Sequence, residues 1–282
     1  KFFVELGVID SDGNPTQHFG DPLWVYLQYC RRQTDNRSDT DILAAGTQQL
    51  LEIRERGVFI AQGFGSRPSE LAPKLRAEIE HIYHDSKRCL WVEWRDDFIE
   101  QIPDRLVVES TSRERLDYIL RPAGGERLKL DSLAQMRSLR ERQAAGYDLQ
   151  IVVSEGLNAL AVMDDGNLLP LLELLRSELA EAGYRIAPET VVIKSGRVRA
   201  GYRIGETLFA GLEDVRTLVH IIGERPGSGH HTLSAYLTAA NGEQWQTTGA
   251  IDHNITKVIS GIATTALSPQ QAALDIRRVL TS

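Results

Sequence analysis

The chain has 282 residues, 42% of them apolar, enough to bury a sizeable core as one large domain or two ordinary ones. Its formal charge of −7 argues against a nucleic-acid partner, because neutralising phosphates needs Lys and Arg in excess. No apolar run reaches the ~18 residues of a membrane span, no leader pattern is visible, and Cys30 and Cys89 are scattered, so reduced thiols in the cytoplasm are expected.

In chain order, FFVELGVID leads to a turn at Ser11, Asp12, Gly13 and Asn14, residue types that tolerate positive φ and local side-chain bonds. The start at Lys1, inside this apolar run, reads as the downstream part of a longer polypeptide. Asp21 before Pro22 predicts an N-cap with proline at N1, opening a helix through LWVYLQYC. Residues 38–56 place acids early and bases late, as the helix dipole favours. After a glycine-bearing break over 57–68, residues 69–94 are amphipathic, and Leu71, Leu75, Ile79, Ile82 and Tyr83 are predicted to form one buried stripe. A short strand over 107–110 and a Gly124–Gly125 turn precede a helix over 131–145. The expected organisation is a segment 1–24, a helical region 25–147 and an α/β domain 148–282.

The texture changes at Asp148. LQIVVSEGLN is an apolar strand with a polar, glycine-bearing tip, and residues 168–182 form a helix closed by Gly183. The unit recurs as TVVIKSGRV, the helix YRIGETLFAGL, and then TLVHIIGERPG. Strands separated by helices need parallel crossovers, which predicts an α/β, Rossmann-like, doubly wound parallel sheet behind a mostly helical N-terminal region. LSAYLTAA and ITKVIS read as two further strands, and Ser268 and Pro269 open a closing helix.

Ligands of open α/β sheets bind beyond the carboxyl ends of the strands. Three tips are expected on one edge: Ser154, Glu155 and Gly156; Ser195, Gly196, Arg197 and Val198; and Gly223, Glu224 and Arg225, with residues 252–262 approaching them. No GxGxxG follows the first strand, and no P-loop, nucleophile elbow, HExxH or paired-carboxylate motif is present. The chain thus shows a place to bind without an obvious place to react, which suits a partner to a cofactor that supplies the hard chemistry. The tips fit a large amide-rich ligand as well as a phosphate. Glu224 and Arg225 also read as a local ion pair on an exposed turn, and Arg197, Arg199 and Arg203 as a solvated face or a contact for phosphate or a subunit. His230, His231 and His253 invite a metal, but adjacent strand histidines face opposite ways and no supporting pattern is legible, so none is expected.

LQIVVSEGLN, SGRVRAGYRIGE and HIIGERPGSG followed by LSAYL stand in an order and spacing that resembles the small subunit of adenosylcobalamin-dependent ethanolamine ammonia-lyase. With RGVFIAQGFGSRP and YILRPAGGERL, the resemblance runs from about Ile53 to the C-terminus, and LGVIDSDGNPTQHFGDP is similar to the tail of the large subunit, as in a fused form. It implies a domain that closes over adenosylcobalamin. It also implies a TIM-barrel large subunit, or an upstream barrel of the same polypeptide, that binds ethanolamine and carries the radical chemistry. A hetero- or homo-oligomer, a cytoplasmic setting that extends to a bacterial microcompartment, and inactivity of this chain alone follow from the same resemblance. Val198, Glu224 and Val258 become cobalamin contacts, beside Arg197, Gly196, Gly223, Ser154 and Glu155 of the tips. Val258 stands where the family can have Cys, and Gly229–His231 departs from a serine-rich family loop. The alternative is a non-catalytic cobalamin- or nucleotide-binding module that recruits partners.

Overall fold

The computed structural model describes residues 2–12, 14, 16–18, 21–55, 73–143, 146–247 and 255–282. The chain divides into two compact units, Lys1–His81 and Ile82–Ser282. In the first, α1 (Phe2–Glu5) precedes α2 (Pro22–Arg32) and α3 (Asp39–Glu55), which pack together around a small core of Leu27, Cys30 and Ile42. Asp21 caps α2 as predicted, accepting from the Leu23 and Trp24 N–H groups with Pro22 at N1. Asp10 organises the predicted turn by accepting from the N–H groups of Asp12 and Asn14. The segment 56–72, with the expected break and the RGVFIAQGFGSRP motif, lies outside the described residues.

The next helix, α4 (Pro73–Trp91), corrects the predicted stripe. Leu75 is buried, but Ile79 and Tyr83 are 43% and 55% exposed. The inward line runs through buried Leu75, half-buried Ile82 and buried Cys89, at seven-residue spacing. Steps of four drift about 40° around a helix while steps of seven return within about 20°, so Ile79 and Tyr83 rotate off the line.

The second unit contains α5 (Asp96–Ile99), β1 (Arg105–Glu109), α6 (Arg115–Leu120), a 3-10 turn (Pro122–Glu126), α7 (Leu130–Gln143), β2 (Leu149–Ser154) and α8 (Ala159–Met163). It continues through α9 (Leu168–Glu181), β3 (Ile186–Lys194), α10 (Val198–Phe209), β4 (Arg216–Gly223), β5 (Leu233–Ala240), α11 (Gly242–Gln246), β6 (Thr256–Ile262) and α12 (Pro269–Thr281). Six strands form one mixed sheet in the order β1-β3-β2-β4-β5-β6. β1, β3, β2 and β4 are parallel, while β5 runs antiparallel to β4, and β6 to β5. The expected parallel sheet is therefore corrected to a mixed one. LSAYLTAA and ITKVIS are strands, but the 224–232 connection holds no crossover helix, and a chain that returns directly pairs as a hairpin. β1, which overlaps the short strand expected over 107–110, is one edge strand and β6 the other.

β2 and β4 are buried along their whole length, as central strands covered on both faces should be. On one face Ile151, Val153, Val219 and Ile221 join leucines of α9 and Ala272, Ala273 and Ile276 of α12. On the other, Val152, Ile193 and Leu218 join Met136 and Leu139 of α7, Ile204 and Leu208 of α10, and Trp245 of α11. Ser268 caps α12 with Pro269 at N1, as read from the sequence.

Candidate functional site

The predicted tips do meet. Ser154 is in register with Ile193 of β3 and Ile222 of β4, which sets the carboxyl ends of the three strands side by side. Their backbones touch: a Cβ on Gly223 would fall 2.1 Å from the Asn158 carbonyl oxygen and 2.3 Å from that of Glu155. Gly156 has φ +57°, and its own Cβ position lies 2.2 Å from the Gly223 oxygen.

Ser154 and Glu155 are buried and turn inward. Ser154 Oγ lies 2.8 Å from Nε2 of the buried His220, and burial pushes that imidazole down to about 4, keeping it neutral. Glu155, 1% exposed, accepts from Trp94 Nε1 and, at 2.6 Å, from the Ser195 N–H. Burial nevertheless pushes its carboxyl from 4.5 up to about 7, outweighing those donors and the positive Arg115. A native pKa above the unfolded one means that stability is complete below about pH 4.5 and declines as pH rises to about 7, by an amount on the order of 3 kcal/mol. Urea titrations between about pH 4 and 8 should show this decline in the wild type, and Glu155→Gln should flatten it whatever its constant offset. An equal slope in the variant would remove Glu155 as its source.

Behind the tips Arg115 and Tyr118 form a brace that sequence reasoning did not single out. Arg115 is 5% exposed, and donates from Nε to the Leu90 oxygen at 2.6 Å and from Nη1 to the Gly156 oxygen at 3.2 Å. The buried Tyr118 hydroxyl donates to the Gly196 oxygen at 3.0 Å. Arg197 stacks its guanidinium 4.6 Å from the same ring and donates from Nη2 to the Tyr118 oxygen at 2.7 Å, while its buried Nε has no partner among the described residues. The β2 and β3 tips are thereby tied to α6.

The exposed chemistry lies on the α10 face. Glu224, half-buried, accepts from Ser234 Oγ at 2.7 Å and from the Arg225 N–H at 3.0 Å, so it is fixed by a hydroxyl and a backbone group rather than by the Arg225 guanidinium. Val258 is 40% exposed and pairs with Tyr236, which pairs with His220. It therefore sits mid-strand, away from the tip line of Gly223, Leu233 and Ile262. Directly paired residues share a face, and His220 packs on Gly201 of α10, so Tyr236 and Val258 lie on that side of the sheet. Val198, half-buried, opens α10, and its N-cap Arg197 makes no side-chain cap, leaving N–H groups that favour an anion. The buried Ser234 and the half-buried Tyr236 stand on this face of the sheet; their alternation within LSAYL was the available signal.

The other candidates disperse. Arg203 pairs with Glu206 at 2.9 Å and Arg199 lies 4.0 Å from Glu126, as on a solvated face. His230 is exposed with Nδ1 3.1 Å from Thr265 Oγ1, and His253 lies outside the described residues. Clefts of about 440 and 570 Å³ run between α7 and α10, and one of about 550 Å³ beside α9, but none includes a tip residue.

A family model described as "Ethanolamine ammonia-lyase light chain (EutC)" matches residues 70–282. The chain is 40% identical over 138 residues to the ethanolamine ammonia-lyase small subunit of Pseudomonas putida, covering 49% of this chain and 48% of that one. The small subunit of Azotobacter vinelandii gives the same identity and coverage, and that of Pseudomonas paraeruginosa is 42% identical over 142 residues, again 49% and 48%. The chain spans about half the length of the curated relatives it matches.

Proposed function

Because the chain belongs to the ethanolamine ammonia-lyase light-chain family, we propose that it is the cofactor-holding small-subunit part of an adenosylcobalamin-dependent ethanolamine ammonia-lyase. It acts with a TIM-barrel large subunit, or an upstream barrel of the same polypeptide, which binds ethanolamine and converts it to acetaldehyde and ammonia. The fused form and the Rossmann-like character of the parallel strands belong to the same reading.

The observation that carries it is the donor and acceptor set on the α10 face. Glu224 is held by Ser234 with its carboxylate half-exposed, ready to accept from the amide arms of a corrin. The uncapped start of α10 and the half-buried Arg197 suit the phosphate of the nucleotide tail. Val198 and Val258 add apolar surface. The residues present thus fit the cofactor, which when bound supplies a cobalt–carbon bond whose homolysis starts radical chemistry. This chain's part is to bind, to orient and, with its partner, to exclude water.

The test is titration of adenosylcobalamin, and of a cobinamide lacking the tail, into the chain co-expressed with a large subunit. Glu224→Ala should weaken adenosylcobalamin binding roughly tenfold or more, the size of a lost hydrogen bond to a charged acceptor. The tailed form should bind more tightly than the tailless one. Equal binding of both, unaffected by the substitution, would show that the surface has been assigned to the wrong ligand.

A further inference from the structure

We propose that Asp85, Cys89 and His231 form a zinc site that clips α4 to the loop bearing Glu224 and Arg225. Asp85 and Cys89 are one turn apart on α4, where i and i+4 side chains share a face, and His231 arrives from the segment between β4 and β5. The ligand atoms converge: Asp85 Oδ2 to His231 Nε2 is 2.8 Å, Cys89 Sγ to the same nitrogen 3.3 Å, and Cys89 Sγ to Asp85 Oδ2 3.6 Å. Among the described residues no other trio of His, Cys, Asp or Glu donors comes together in this way.

The ligands are also oriented from behind. Asp85 Oδ1 is held by Arg88 at 2.8 Å, which turns Oδ2 to the imidazole. Asp164, at the end of α8, lies 2.6 Å from His231 Nδ1, so a carboxylate fixes one ring nitrogen and presents the other, the arrangement common behind metal-bound histidine. Asn167 Nδ2 donates to the His231 carbonyl oxygen at 3.3 Å and steadies the backbone.

A tetrahedral zinc with bonds of ~2.0–2.3 Å spaces its ligand atoms by about 3.3–3.7 Å. The two sulfur distances already fall there, and only the Asp85–His231 pair must open, by about half an ångström. Thiolate with imidazole and carboxylate selects zinc over magnesium or calcium, which prefer oxygen alone. Binding displaces the proton shared at Nε2 and the thiol proton of Cys89, both released to solvent, and no electron is transferred. Asp85 and His231 are partly exposed, 24% and 19% at their side chains, which leaves an entry path and room for a water as fourth ligand.

The site is independent of the cobalamin reading, and so is its test. The 282-residue chain, stripped with a chelator and kept free of cobalamin, is titrated with Zn²⁺, and with Co²⁺ as a spectroscopic probe. One equivalent should bind, with a near-ultraviolet thiolate-to-cobalt band and tetrahedral visible bands. Cys89→Ala should abolish the charge-transfer band and weaken zinc binding at least a hundredfold. Asp164→Asn should weaken it roughly ten- to a hundredfold without changing the stoichiometry. Since Cys89 is buried, Cys89→Ser serves as a second variant close in size, and the wild-type spectrum decides the matter even if neither folds. Absence of the thiolate band from the cobalt-loaded wild type, or zinc binding equal in wild type and Cys89→Ala, overturns the proposal.

Discussion

Gly223→Ala is expected to cost the second unit about 3 kcal/mol or more, enough to leave much of the chain unfolded at moderate temperature. The added carbon would stand 2.1 Å from one carbonyl oxygen and 2.3 Å from another, and both obstacles are backbone, which cannot rotate aside as a side-chain end can. Relief requires the β4 tip to move by roughly 1 Å from the β2 tip. That shift loosens the bond from the Glu224 N–H to the Thr232 oxygen and strains the one from Ser195 to Glu155. Gly183 is the control. It has φ +90° but nothing within 4 Å of its Cβ position, so Gly183→Ala should cost only the ~1 kcal/mol of a left-handed residue. Urea denaturation of the two variants separates close approach from backbone strain. A Gly223→Ala protein within about 1 kcal/mol of wild type would mean that the tips are not in contact.

How much of this was legible depends on the distance over which each contact acts. β2 and β4 could be read because continuous β-branched runs bounded by glycine are what a strand buried on both faces needs. The direction of β5 could not, since HIIGERPGSG fits a crossover start and a hairpin equally until the path of residues 224–232 is known. Val198 and Glu224 were legible as strand-tip residues, whereas their role as cobalamin contacts, and Val258 altogether, came from resemblance; the structure adds that Val258 lies mid-strand on the face of α10. Trp94 and Glu155 meet across 61 positions, Arg115 and the Gly156 carbonyl across 41, and Asp85 and His231 across 146. No local spacing encodes such pairs. Glu155 looked like a ligand-facing tip residue because a polar residue after a strand usually faces solvent, and only the distant Trp94 and the bend at Ser195 turn it inward.

Arg115→Met is expected to cost more at about pH 8 than at about pH 5, with the total near 3–5 kcal/mol at the higher pH. Two losses are involved. The first is independent of pH: the Leu90 and Gly156 carbonyls lose their donor, and the Tyr118 ring loses the guanidinium 4.9 Å away. Methionine restores much of the volume, so this part should be about 2 kcal/mol. The second acts through Glu155. Burial already holds the Arg115 guanidinium below its usual range and the Glu155 carboxyl up at about 7, and the positive charge is one of the influences that keep the carboxyl from rising further. Removing it moves the native pKa of Glu155 higher still. A raised native pKa contributes stability fully below the unfolded value and loses it as pH rises through the folded one, so the additional penalty begins near pH 7 and is absent at pH 5. The double variant Arg115→Met/Glu155→Gln should keep the constant part and lose the pH-dependent part, which makes the two substitutions non-additive above pH 7 and additive below pH 5. If Arg115→Met costs the same at both pH values, the arginine acts on the tips through hydrogen bonds and packing alone, and the electrostatic coupling across the β2 tip does not exist.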